Sequence, residues 1–257
     1  MHRVITNILL VILIAFIAPA AIALGWWSTV DRPRSWSSAS WSTSGTLPAA
    51  SEVDGPVVHV MTARTGGMKG ALALHSWIVT KRDGESRYTR YDKVGWGSPV
   101  RRNAYAADAF WYSNPPAILT TLRGAEASRA IDGVERAVAT YPFGRRGGYR
   151  IWPGPNSNSF VAHVLREVPE LAVNLPETAV GRDYPTDGRL AAWDPVRRDL
   201  RLSLWGYLGL TIGRTAGVEA SFLGLVTGID PFRPAIKLPG FGRIGMDAVP
   251  RVDVLEV

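Results

Sequence analysis

The chain has 257 residues, 46% of them hydrophobic and 20% charged, which excludes global disorder and leaves room for one sizeable core. Its net charge of +7 comes mostly from arginine in scattered pairs such as Arg101-Arg102 and Arg197-Arg198, and no nucleic-acid-binding motif accompanies it. Cysteine is absent, which removes disulfides, thiolate metal sites and a cysteine nucleophile together.

Residues 4–24 form an uncharged apolar run, interrupted by Thr6, Asn7 and Pro19, that is long enough to cross a bilayer core as a helix. Trp26 and Trp27 follow, where interfacial aromatics sit. A cleaved signal peptide is the alternative, because Ala21-Ile22-Ala23 has the small-x-small shape of a cleavage site. Residues 1–27 are thus read as a membrane anchor or signal segment. The expected protein is single-pass in the cell membrane, with its globular domain on the extracytoplasmic side. Residues 28–56, rich in serine and tryptophan, read either as a juxtamembrane linker or as an arm packed on the domain.

Residues 57–257 are expected to be a single globular domain. Val57–Met61, Ala71–Thr80 and Ser86–Val94 have strand character, with Asp83-Gly84 as a tight turn, and predict an antiparallel meander with His75 near its middle. A Gly/Pro-rich aromatic passage follows at 95–99 and 110–116. Apolar residues at helical spacing predict a helix over 124–141, ended by Pro142, and a second over 159–168. Two apolar stretches, 200–212 and 218–227, read as one long hairpin whose glycines, together with Arg214 and Glu219, argue against a second membrane span. Residues 231–242 read as a loop-rich tail.

The segment Pro155-Asn156-Ser157-Asn158-Ser159-Phe160 is where chemistry is expected. A hydroxyl needs an adjacent base, usually a histidine held by a third polar group. At a helix N-terminus it also finds free backbone N–H groups able to hold an oxyanion. Ser157 is the candidate nucleophile and His75 the candidate base. Asp92, Tyr91 and Tyr88 are candidates to orient the ring, and the amides near Asn158 and Ser159 are candidate oxyanion donors. The structural account is equally physical: Asn156, Ser157 and Ser159 are good helix caps. His59 reads as structural and His163 as a surface residue. No metal or cofactor motif is present. Gly144-Arg145-Arg146-Gly147-Gly148 reads as a flexible connection whose arginines suit an anionic ligand.

The order of strand histidine (Leu74-His75-Ser76), polar residue on the next strand, then Asn156-Ser157-Asn158-Ser159-Phe160 resembles the permuted branch of papain-like amidases, peptidases and acyltransferases, which has Asn-Cys-Asn there. The resemblance implies an α+β fold with a permuted papain-like core, His75 as base, Ser157 in the cysteine's place and Asp92 as orienting residue. From Val4 to Gly245 the chain also resembles an uncharacterised, membrane-anchored bacterial envelope family, a domain of unknown function. Serine stays protonated where cysteine ionises, so the sequence leaves catalysis open. One reading is a papain-like pocket kept for binding an envelope component, an envelope polymer or an anionic lipid. The alternative is a serine-dependent hydrolase or acyltransferase acting on an envelope amide or ester. A third is a structural membrane-associated module built on the apolar hairpin.

Overall fold

The computed structural model describes residues 2–96 and 100–247, so residues 97–99 of the Gly/Pro-rich passage lie outside the described residues. The apolar run forms a helix over His2–Thr29, compatible by length and composition with a membrane anchor or a signal sequence. It comprises α1 (His2–Ile12) and α2 (Ala18–Thr29), joined by a π-helical stretch at Leu13–Ile17. Pro19 accounts for that irregularity, because it has no N–H to donate to the preceding turn and its ring crowds the carbonyl there. α1 buries nothing, whereas Phe16, Ala20, Ala23 and Trp27 form a buried stripe at helical spacing against the body.

The first sheet contains β1 (Val57–Arg64), β2 (Leu74–Lys81), β3 (Thr89–Lys93), β4 (Val100–Arg102) and β5 (Ala117–Arg123) in the order β4-β3-β2-β1-β5, all antiparallel. β2 starts later than its apolar pattern suggests, because Gly67–Ala71 coils into a 3-10 turn against Trp27. Register sorts the side chains into two faces. Ala63 lies opposite His75, Met61 opposite Trp77 and Asp92 opposite Arg101, which puts His75, Trp77 and Asp92 on one face. Ile78 lies opposite Tyr91 on the other face.

Helices α3 (Gly124–Thr140) and α4 (Ser157–Glu167) cover the Ile78 face, where Val58, Val60, Ile131, Phe160 and Val164 form the main core. The His75 face carries a smaller aromatic core of Met61, Trp77, Val79 and Trp111. The serine- and tryptophan-rich segment packs there as an arm. Thr43 donates to Asp108 at 2.6 Å, Leu47 joins the aromatic core, and Trp41 stacks on Tyr105 at 5.0 Å.

The second sheet is a seven-stranded meander of β6 (Ala191–Asp194), β7 (Asp199–Leu204), β8 (Leu208–Gly213), β9 (Gly217–Phe222), β10 (Leu225–Asp230), β11 (Ala235–Leu238) and β12 (Gly242–Gly245). This corrects the long hairpin expected over 200–227. Trp205-Gly206 and Leu223-Gly224 each place two residues at positive φ, 49° and 78° in the first pair and 53° and 78° in the second. Such pairs make tight hairpin turns that double the chain back. β11, the turn into β12 and the first residue of β12 occupy the segment read as a loop-rich tail. The result is a mixed architecture of helices and two antiparallel sheets.

Candidate functional site

The site begins at the N-terminus of α4. The chain reaches it through two cis prolyl bonds, Trp152–Pro153 and Gly154–Pro155. Asn156 is the N-cap: its Oδ1 accepts from the backbone N–H groups of Asn158 at 2.9 Å and Ser159 at 3.1 Å, and the Ser159 hydroxyl accepts from Asn156 N at 3.2 Å. This reciprocal arrangement is a capping box. Asn156 Nδ2 donates in turn to the carbonyls of Ile151 and Val180, both at 3.0 Å. Gly181 at φ +93° closes over this amide, and a Cβ there would fall 2.3 Å from Asn156 Nδ2.

Asn158 ties the helix to the sheet. Its Nδ2 donates to Leu74 O and Val180 O, each at 2.9 Å, and its buried Oδ1 has no hydrogen-bond partner among the described residues. The amides of Asn158 and Ser159, expected as oxyanion donors, are therefore already occupied by Asn156 Oδ1. The Ser159 hydroxyl is spent on Gly181 O at 2.6 Å. Ser157 differs from its neighbours: among the described residues neither its hydroxyl nor its N–H has a hydrogen-bond partner.

His75 approaches from β2. Its ring is buried, lies parallel to the Trp111 indole at 3.7 Å between centroids and 6° between planes, and sits beside Trp77. Nε2 is 3.6 Å from Asp92 Oδ2, beyond a hydrogen bond. Asp92 is held more tightly by two arginines. Arg101 reaches both of its oxygens, at 3.0 and 2.7 Å, and Arg90 reaches Oδ2 at 3.2 Å. Arg90 itself lies over the Trp77 ring at 4.2 Å.

Electrostatics follow from this clamp. Burial would raise the Asp92 carboxyl, but its contacts with His75, Arg90 and Arg101 more than reverse that and hold it well below the ordinary carboxylate range. Burial lowers His75 to about 4, because the pull of Asp92 is countered by the same two arginines. The imidazole is therefore neutral at pH 7 and a weak base.

His75 and Ser157 both line one cavity of about 570 Å³. They reach it from different sides: His75 belongs to the aromatic face, while the body of α4 packs on the opposite one. The cavity's other walls are mainly apolar, including Leu72, Ile151, Trp152, Val180, Leu223 and Leu225. A second recess of about 280 Å³ shares Val94, Gly95, Trp96 and Tyr149 with it and adds Lys93, Arg145 and Arg146. Burial lowers the Lys93 ammonium to about 8, and it donates to Phe143 O at 2.7 Å.

Residues 55–184 match the family described as Protein of unknown function (DUF3750). The chain belongs to that family. The matched span holds the five-stranded sheet, α3, α4 and every residue of the candidate constellation, whereas the DUF3750 match ends before the seven-stranded sheet. No curated protein and no solved structure matches the chain.

Several residues around this candidate site escaped sequence reasoning. Trp111 drew notice only as part of an aromatic passage, and the Arg90–Asp92–Arg101 clamp needs three positions brought together by strand pairing. His163, expected at the surface, is instead buried against Tyr141 with its Nε2 unpartnered, because the inward side of α4 runs through the main core. His59 pairs through Nδ1 with the Thr121 hydroxyl at 2.8 Å. Tyr91 turns to the Ile78 face, away from His75, and the Tyr88 hydroxyl is buried without a partner.

Proposed function

We propose that this chain is a membrane-anchored protein that binds an anionic amphiphile, with catalysis absent. The carrying observation is the cavity: mainly apolar walls, a few polar groups among them, and a basic recess beside it, a composition typical of small-molecule sites. An acyl chain suits the walls of Leu72, Ile151, Leu223 and Leu225. A phosphate or carboxylate head suits Arg145, Arg146 and Lys93. The Ser157 hydroxyl, which lines the cavity, then serves as hydrogen-bond donor to the polar linkage between head and chain.

Three features favour binding over chemistry. A base near pH 4 draws weakly on a hydroxyl that ionises far above pH 7. His75 is clamped by Trp111, and its acidic partner is neutralised by two arginines. The two expected oxyanion amides are occupied. The site is tested on the full chain in liposomes containing a phosphatidic acid analogue with a photoreactive acyl chain. Crosslinks on peptides spanning 149–158 or 223–225 are expected. Labelling of residues 4–24 with none on those peptides overturns the reading.

A serine-dependent hydrolase or acyltransferase is the second reading, favoured by Ser157 and His75 lining one cavity, by Asp92 lying 3.6 Å from the imidazole, and by the short motif likeness to permuted papain-like proteins. In it Ser157 attacks an ester or amide carbonyl, with the N–H of Ser157 as the oxyanion donor. His75 takes the hydroxyl proton and returns it to the alcohol or amine that leaves as the C–O or C–N bond breaks, and water or an acceptor alcohol then takes the acyl group from Ser157. Labelling by a fluorophosphonate probe that vanishes in Ser157→Ala would establish this reading and end the binding-only one.

A further inference from the structure

The seven-stranded sheet is inside out. Antiparallel sheets with one solvated face normally alternate apolar-in and polar-out. Here register places Leu200, Leu202, Leu210, Ile212, Ile229 and Ile236, all of them exposed, on the outer face together with their cross-strand neighbours. No described strand position on that face is charged.

The charges point inward. Lys237 pairs with Glu177 at 2.9 Å and with Glu219, which also pairs with Arg182; Arg243 meets Asp230 at 2.9 Å. Asp199 Oδ1 accepts from the amides of Thr215 at 3.0 Å and Ala216 at 3.2 Å. Burying such groups carries a desolvation cost, and facing leucine and isoleucine to water adds a second. A chain that bears both costs is arranged for an outer medium that is not water.

The N-terminal helix identifies that medium. Phe16 packs on Phe222 of the outer face at 5.8 Å between ring centroids, and the Leu13–Ile17 stretch runs beside β10. The helix rises about 1.5 Å per residue, so Phe16 lies roughly 16 Å along the axis from Trp27, about half a hydrocarbon core. If residues 4–24 are in lipid, Phe222 and the face around it are in the same lipid. With strands about 4.8 Å apart and about 3.3 Å per residue, the face spans roughly 30 by 17 Å. That projected area already reaches the upper range of the largest apolar patch on a soluble monomer, before the exposed side of the helix is added.

The geometry points to the outer face of β6–β12 lying in the hydrocarbon of the bilayer that holds the N-terminal helix. The contact is monotopic: strands of four to six residues do not span a membrane and their ladder is not closed into a barrel. This inference stands whatever occupies the cavity.

Absence of cysteine makes the test direct. Leu202→Cys, Leu210→Cys, Ile229→Cys and Ile236→Cys are made singly in the full chain, with Glu126→Cys and Arg189→Cys as exposed controls off the sheet. Each is spin-labelled and reconstituted into liposomes of mixed zwitterionic and anionic phospholipid. Collision with molecular oxygen is compared with collision with a water-soluble nickel chelate. The four sheet positions are expected to favour oxygen several-fold over the controls. Sheet positions that behave like the controls overturn the inference, and so does protection from both reagents, which would mean that protein covers the face.

Discussion

The two sheets use the same alternation to opposite ends. In the five-stranded sheet both faces are buried, one beneath α3 and α4 and the other beneath the aromatic arm, and its apolar residues line cores. In the seven-stranded sheet the apolar residues face out and the charges face in. Alternation defines two faces without saying which is inside. That choice depends on what covers each face: protein in the first sheet, and by our inference lipid in the second.

The contrast is broken most severely by placing a carboxylate on equivalent positions of the two sheets. Val60→Asp puts an unpaired charge in the main core and is expected to abolish folding, read as loss of monodisperse protein on size exclusion. Leu210→Asp, on the exposed outer face where no packed protein core is broken, is expected to leave the protein monodisperse in detergent, with a smaller loss than Val60→Asp. Equal damage from both would erase the distinction between the sheets.

Lys237→Met probes the inward charges. It leaves Glu177 and Glu219 short of a cation, and a loss of about 3–5 kcal/mol in denaturant unfolding is expected. A neutral result would mean the inner face tolerates apolar groups as a normal core does.

The aromatic face of the first sheet makes a pH prediction. His75 and His59 both have pKa values lowered by burial to about 4, so the folded state favours their neutral forms. Their stabilising contribution is complete above pH 6.5 and is lost as pH falls from 6.5 toward 4, by on the order of 3 kcal/mol for a group shifted this far. Asp92 is also shifted downward, but there the charged form is favoured, and its contribution is lost only as pH falls below the ordinary carboxylate value. Thermal melts across this window should show the decline, and His75→Gln should flatten it. A slope unchanged in that variant would assign the decline elsewhere.

Asn156→Ala is expected to cost less stability than Val60→Asp or Lys237→Met. It removes the α4 cap and strands the amides of Asn158 and Ser159, for a loss of about 2 kcal/mol. Asn156→Asp keeps the acceptor and should recover part of it. A serine hydrolase would show a different signature, in which freed amides alter fluorophosphonate labelling of Ser157 as well as stability.

Much of this was legible locally. The apolar helix, the meander around His75, α3 within a residue of its end, and α4 opening at the Asn-Ser-Asn segment all follow from periodicity, capping and turn chemistry, which act over a few residues. The proximity of Asp92 to His75 follows from adjacent strands. The two-arginine clamp, the indole stacked on the imidazole and the burial of His163 did not follow, because each depends on residues distant in sequence meeting in space.

By itself the amino-acid order determined which segments are helical or extended, where the membrane-length helix lies, and which side chains alternate along each strand, because those properties are set by short-range geometry. The tertiary structure alone decided that the hydroxyl and the imidazole line one cavity, and that the leucines of the second sheet turn outward. Facing and depth are properties of packing between distant elements, and no local pattern encodes them.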